Sequence, residues 1–151
     1  MDMNGILIVL SQSDRTEVGK DNFGTQSVPQ KVFSSIWAIE SEVNNGGFAQ
    51  YLLNSSCETA GFVVEALETV GATSAADISR RAIAAAFPAG LPSHAEEIRS
   101  VASEFSDEIE EKLGALDQEF FQYPDNLTKS LFAYVSKHPE EFGELPKADD
   151  A

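Results

Sequence analysis

Along most of the chain, apolar residues recur at steps of three and four, the spacing that gathers them on one face of an α-helix. Val32, Phe33, Ile36, Trp37, Ile39 and Val43 make the first clear series. Ser27 stands before it as a cap, and Pro29 falls in the first turn, where a missing N–H costs nothing. Asn45-Gly46-Gly47 ends this helix, because glycine reaches left-handed backbone without strain. Phe48, Tyr51, Leu52 and Leu53 predict a short second helix, stopped at Asn54-Ser55-Ser56. Phe62, Val63, Ala66, Leu67 and Val70 predict another over Glu58 to Val70, with Gly71 as its stop. Ser74, with Asp77 three residues on, predicts the cap of a helix reaching Phe87. Pro88-Ala89-Gly90-Leu91-Pro92 reads as a loop.

The second half follows the same rule. Ser93-His94-Ala95-Glu96 has the pattern of a capping box. After it Ile98, Val101, Phe105, Ile109, Leu113, Leu116 and Phe120 keep helical spacing. One long helix from about His94 to Gln122 satisfies all of them, with Ser103–Ser106 as the place for a break. Tyr123-Pro124 ends it. Asp125 is read as the cap of a last helix carrying Leu127, Leu131, Phe132, Tyr134 and Val135, stopped by Pro139, with Phe142 tucking back as an anchor. Only the N-terminal segment resists this reading. Ile6–Leu10 is too short for periodicity to choose between strand and helix, and Asp21-Asn22-Phe23-Gly24 is turn-like. The expected fold is all-α: a single domain of about six or seven helices with short loops, packed ridges into grooves. Residues 1–28 form an N-terminal segment packing on the domain, 29–143 the helical domain, and 144–151 a frayed acidic tail.

Composition supports a packed core and adds one unusual property. A chain of 151 residues with ten Phe, one Trp and three Tyr is long enough to bury roughly 70% of the surface its unfolded form exposes. Its 25 acids against 10 Lys+Arg give a net charge of −15. Such a surface repels nucleic acid and anionic membrane and attracts basic partners, and it also serves plain solubility. The single cysteine, Cys57, excludes an internal disulfide and fits a reducing compartment. No run approaches the ~18 apolar residues of a membrane span, and the five-residue run Ile6–Leu10 lacks the flanks of a signal peptide. The expected location is the cytoplasm.

Few residues offer chemistry. His94 and His138, the only histidines, sit in no zinc-ligand spacing, so neither a metal nor a cofactor is expected. Cys57 has no neighbouring cation in sequence to activate it and reads as a buried or half-buried thiol. Phosphate-loop, dinucleotide and hydrolase-elbow patterns do not occur. Glu40 and Glu42 diverge by roughly 200° around a helix, which makes them poor acid/base partners. Glu40 and Asn44 share a face. With Asn45, Gln50 and Asn54 they outline a polar cluster at the helix break, better suited to capping than to catalysis. From Glu96 to Glu119, nine acids stand against Arg99 and Lys112, a local net charge of −7. On one continuous helix Glu104, Glu108 and Glu111 fall on a stripe, with Asp107 and Glu110 beside it. Carboxylates four residues apart rise about 6 Å along a helix, near the separation of phosphates on a DNA strand. A merely solvated face satisfies the same pattern.

The run Trp37-Ala38-Ile39-Glu40-Ser41-Glu42-Val43-Asn44-Asn45-Gly46-Gly47-Phe48-Ala49-Gln50-Tyr51, continuing to Asn54-Ser55-Ser56, resembles the signature of the bacterial DNA-mimic protein domain family. Val70-Gly71-Ala72, Leu116-Asp117 with Phe120-Phe121, and Tyr134, Pro139 and Phe142 extend the resemblance from about Pro29 to Phe142. Cys57 stands where the family usually has glycine. The resemblance implies an all-helical fold and a non-enzymatic protein that occupies the DNA-binding surface of another protein. The implied partner is a basic DNA-binding protein, such as a helix-turn-helix regulator, bound in competition with DNA. Glu104, Asp107, Glu108, Glu110 and Glu111 are the candidate contacts, and a homodimer would extend the acid rows to duplex length. Two rivals remain: an immunity or antitoxin-type inhibitor of a basic toxin, and an enzyme with a pocket at the Asn44–Gly47 break.

Overall fold

The computed structural model describes residues 2–18, 23–143 and 145. Within them the chain folds into helices α1 (Met3–Ser11), α2 (Val28–Leu53), α3 (Val63–Thr69), α4 (Thr73–Ala86), α5 (Ala95–Ala102), α6 (Asp107–Phe121), α7 (Leu127–Ser136) and α8 (Pro139–Phe142). Short 3-10 turns occupy Phe23–Thr25 and Ser55–Thr59. No strand occurs among the described residues, so the all-α expectation holds.

α2 is the axis of the molecule, touching α3, α5, α6, α7 and α8. Its start follows the sequence reading. Ser27 accepts from the Gln30 N–H, and the Gln30 side chain reaches back to the Ser27 N–H. The series Val32, Phe33, Ile36, Ile39 and Val43 is completely buried. Removing such side chains from water is the main stabilising contribution, roughly 1.5–3 kcal/mol for each large one. Phe142 folds back against Phe33, ring centroids 5.8 Å apart.

The N-terminal ambiguity resolves as helix. Asp2 caps α1 through the Gly5 N–H at 2.7 Å. Ile6, Leu7 and Leu10 face the core while Ile8 and Val9 are exposed, and α1 rests on α7. Of the expected turn at Asp21–Gly24, Asp21 and Asn22 lie outside the described residues, as do 144 and 146–151 of the expected tail.

Four local expectations are corrected. The helix expected over Glu58 to Val70 is cut down to Val63–Thr69. The Thr59 hydroxyl bonds to the Ser56 carbonyl at 2.8 Å and to the Tyr51 hydroxyl at 2.6 Å, which holds the preceding residues in a 3-10 turn. Ser74 does not cap α4. The helix begins at Thr73, and its Ala75 N–H donates to Asp125 from a distant part of the chain, at 2.8 Å. Engaged there, Asp125 leaves the capping of α7 to Asn126, which accepts from the Lys129 N–H at 3.1 Å. Ser93-His94-Ala95-Glu96 forms no capping box: α5 starts at Ala95 with His94 at the cap position and no side-chain bond there. Between His94 and Gln122 the chain does break at 103–106, the place the sequence offered, and forms two helices rather than one. Ser106 caps α6 by accepting from the Ile109 N–H at 3.2 Å, and Phe105 turns inward onto Phe87, 5.9 Å between centroids. A cap and an aromatic anchor together end α5 and restart the chain in a new direction.

Candidate protein-docking surface

The surface is anchored by the corner in α2. At Gly46 (φ −156°, ψ 16°) and Gly47 (φ 82°, ψ 178°) the backbone leaves helical values and then resumes them, so α2 is two helical segments joined at a kink, at the break expected from Asn45-Gly46-Gly47. The Gly47 conformation is one that only glycine adopts readily. The kink frees the Phe48 N–H, which donates to Asp117 Oδ1 on α6 at 2.7 Å. The carboxylate lies so close that a Cβ on Gly47 would stand 2.3 Å from Asp117 Oδ2. Beside this bond the Phe48 and Phe120 rings meet edge to face at 5.8 Å. Thus Asp117 threads α6 onto the kink of α2. Burial raises the Asp117 pKa, and the Phe48 N–H works against that rise.

The polar cluster at the kink forms around a different carboxylate from the one expected. Glu42 Oε2 accepts from Gln50 Nε2 at 2.8 Å and from Asn54 Nδ2 at 2.9 Å. Two non-helical residues shift the phase of the second half of α2 and bring Gln50 and Asn54 over Glu42. Glu40 is left half-buried apart from them, its pKa raised by burial. Asn44 and Asn45 are exposed, and their side chains form no hydrogen bond with another described residue. Tyr51 is fully buried, its pKa raised by burial against the bond to Thr59. Trp37 stacks on Phe33, the rings 5.8 Å apart and within 8° of parallel.

With its far end fixed in this way, α6 presents its first turns to solvent. Asp107, Glu108, Glu110 and Glu111 are exposed on α6, and Glu104 is exposed in the link before it. The predicted stripe Glu104–Glu108–Glu111 is therefore broken: Glu104 belongs to the turn closed by its N–H to the Val101 carbonyl at 3.0 Å. Glu96 and Glu97 lie exposed in the first turn of α5. Among the described residues only Glu108 of these has a cation beside it, Lys112 Nζ at 3.4 Å, and that pair is itself exposed. Glu96, Glu97, Glu104, Asp107, Glu110 and Glu111 make no ion pair or side-chain hydrogen bond with another described residue. The break also lowers the cost of gathering these charges. It adds a second helix N-terminus, and Asp107, Glu108 and Glu110 sit in its first turn, where the helix dipole favours negative charge.

The other end of α6 treats its acids differently. Glu119 accepts from the two terminal guanidinium nitrogens of Arg81, at 2.7 and 2.9 Å, and these bonds hold Glu119 below the usual carboxylate range. Arg81 also bonds Asp77 at 3.0 Å, and Arg80 pairs with Glu68. Arg99 is directed back to the Leu53 carbonyl at 3.2 Å.

The remaining candidates fall into structural places. His138 packs on Tyr134, 4.5 Å between centroids. Cys57 is buried, and burial pushes its thiol up to about 11, the opposite of activation. The linkage that sequence reasoning missed is the one between Asp117 and Gly47. Its signal was present in the Asn-Asn-Gly-Gly run and in Leu116-Asp117, but nothing in a linear reading brings residues 70 positions apart together.

A family model described as DMP19-like protein matches residues 25–138, most of the chain. No curated protein and no solved structure matches it.

Proposed function

The chain belongs to the DMP19-like family, that of DNA mimic protein 19, and from that premise we propose that it binds a basic DNA-binding protein in competition with DNA. The family is not a known enzyme family, and in this reading the chain acts by binding alone. The observation that carries the proposal is the cluster of exposed carboxylates at the α5–α6 break, with Lys112 its one paired cation among the described residues. Glu104, Asp107, Glu108, Glu110 and Glu111 are the proposed contacts, with Glu96 and Glu97 extending the field. A partner that normally meets phosphates would bring Lys and Arg to the same carboxylates. Association would be steered by long-range attraction and screened beyond a Debye length of about 8 Å at physiological salt.

The test is capture followed by competition. The chain is expected to retain a DNA-binding protein from a lysate of its source cells, duplex DNA to displace it, and affinity to fall steeply with salt. Replacing Glu104, Glu108, Glu110 and Glu111 with Gln and Asp107 with Asn is expected to weaken the complex by more than about tenfold, or 1.4 kcal/mol. Capture of no DNA-binding protein, or an unchanged complex after the five replacements, overturns the proposal. Capture of a basic toxin instead would support an immunity-type inhibitor.

A further inference from the structure

A cleft of about 220 Å³ lies between the end of α1, the link at 12–18, the middle of α2 and the 3-10 turn after it. It shares no residue with the acidic surface on α5 and α6, and nothing in the proposed docking uses it. Trp37, Ser41, Glu42, Ser55 and Ser56 of its lining all come from the Trp37–Ser56 stretch. The fold employs Gly47, Phe48, Gln50, Tyr51 and Asn54 of that stretch, and places these five around an opening.

The lining divides into groups bonded within the fold and groups left open to a ligand or to solvent. The Thr16 hydroxyl donates to the Leu10 carbonyl at 2.6 Å, and the Ser34 hydroxyl lies 3.0 Å from the Thr16 carbonyl. The Ser56 hydroxyl donates to the Tyr51 carbonyl at 2.8 Å. Four groups remain without a bond to another described residue: the Trp37 indole N–H, the hydroxyls of Ser41 and Ser55, and Oε1 of Glu42. They comprise one donor, two groups able to donate or accept, and one acceptor.

Charge narrows the ligand. Glu42 is the only charged residue of the lining among the described residues, so there an anionic ligand meets a carboxylate, and the whole molecule has a net charge of −15. A cationic ligand meets one carboxylate whose other oxygen already accepts two amide hydrogens. A neutral ligand bearing several hydroxyls suits all four groups: it donates to Glu42 in a charge-assisted bond, accepts from Trp37, and does either at Ser41 and Ser55. Trp37, Ala38 and Val18 supply apolar surface for its C–H edges. A space of 220 Å³ equals roughly seven water volumes, the scale of one sugar ring. We infer that this cleft binds a neutral polyhydroxylated molecule of monosaccharide size.

The chain contains one tryptophan, and it lines this cleft, so its intrinsic emission can report binding there. The full chain is titrated with D-glucose, D-ribose and myo-inositol, and in parallel with glucose 6-phosphate and spermidine. At least one neutral polyol is expected to give a saturable change in emission, little altered by about 0.5 M NaCl, with the phosphorylated sugar binding more weakly. Ser41→Leu, which fills the mouth from an exposed helical position, is expected to abolish the saturable change while leaving the far-UV spectrum and melting temperature in place. Ser55→Leu serves the same purpose from the opposite wall should the first variant not fold. No saturable change with any of the three polyols, saturation by spermidine in their place, or saturation that survives the filled cleft each overturns the inference.

Discussion

In the first half of α6, Asp107, Glu108, Glu110 and Glu111 stand in solvent. In the second half, Asp117 bonds the Phe48 N–H and Glu119 grips Arg81. One helix thus carries the same residue type for two purposes, and its own sequence does not distinguish them. What differs is the neighbour. The second half lies against the kink of α2 and against α4, where free N–H and guanidinium donors await a carboxylate. The first half is the start of a helix after a break, where the nearest stabilising influence is the helix N-terminus. A count of acids is therefore a poor measure of available charge: the first half contributes its carboxylates to the field around the molecule, and the acids of the second half are paired within the fold.

The severest test of this division is Gly47→Ala. The backbone region of Gly47 costs a non-glycine residue about 1–3 kcal/mol, and the new Cβ meets the Asp117 carboxylate as well. A loss of at least about 2 kcal/mol in urea unfolding is expected. In an Asp117→Ala background the same change is expected to cost less, because the clash is gone. Equal losses in the two backgrounds would show that the carboxylate is not seated against the glycine.

Asp117→Ala comes next. It leaves the Phe48 N–H unpaired in a buried place, a cost of about 1–3 kcal/mol, whereas Asp117→Asn retains an acceptor and is expected to cost less. The pH dependence has a definite sign. Burial raises the folded pKa of Asp117, so between the ordinary aspartate value and the raised one the folded chain holds more protons than the unfolded chain. Stability from this group falls as pH rises through that window. Glu40, also raised by burial, acts in the same direction. Asp117→Asn is expected to lose its part of the slope, measured as unfolding free energy against pH; an unchanged slope would remove Asp117 from that account.

Smaller effects belong to the outward half. Neutralising Asp107, Glu108, Glu110 and Glu111 together removes favourable dipole contacts and the exposed Glu108–Lys112 pair, but it also relieves repulsion. The net change in stability is expected to stay within about 1 kcal/mol, while binding of a basic partner suffers far more. A collapse of the fold would show that these acids are structural. Least of all is expected from Glu119→Gln. Its ion pair with Arg81 is well formed but exposed, so the melting temperature should barely move, and the difference should vanish at high salt. A large effect would place Glu119 on a par with Asp117.

How much of this was readable beforehand differs from element to element. The cap at Ser27, the apolar series from Val32 to Val43 and the break at Gly46-Gly47 are local, and each matched the structure because residues within one or two turns decide them. The caps at Ser74, Ser93 and Asp125 failed for the opposite reason. A short polar side chain bonds whichever N–H the fold delivers, and Asp125 was delivered to Ala75, 50 positions away. The candidate acids were visible as a run. Their supposed stripe was not real, because Ser106 and Phe105 end one helix and begin another, a choice that rests on Phe105 finding Phe87.

The sequence by itself determined the helical class, the core face of α2, the kink and the excess of negative charge, since periodicity, glycine geometry and composition act at short range or on the whole chain. The tertiary structure alone decided that Glu42 rather than Glu40 gathers the amides, that Asp117 seats against Gly47, and which half of α6 faces water. Those outcomes depend on which groups are brought within hydrogen-bond reach across the core, and at about 3 Å such a bond is settled by the packing of whole helices.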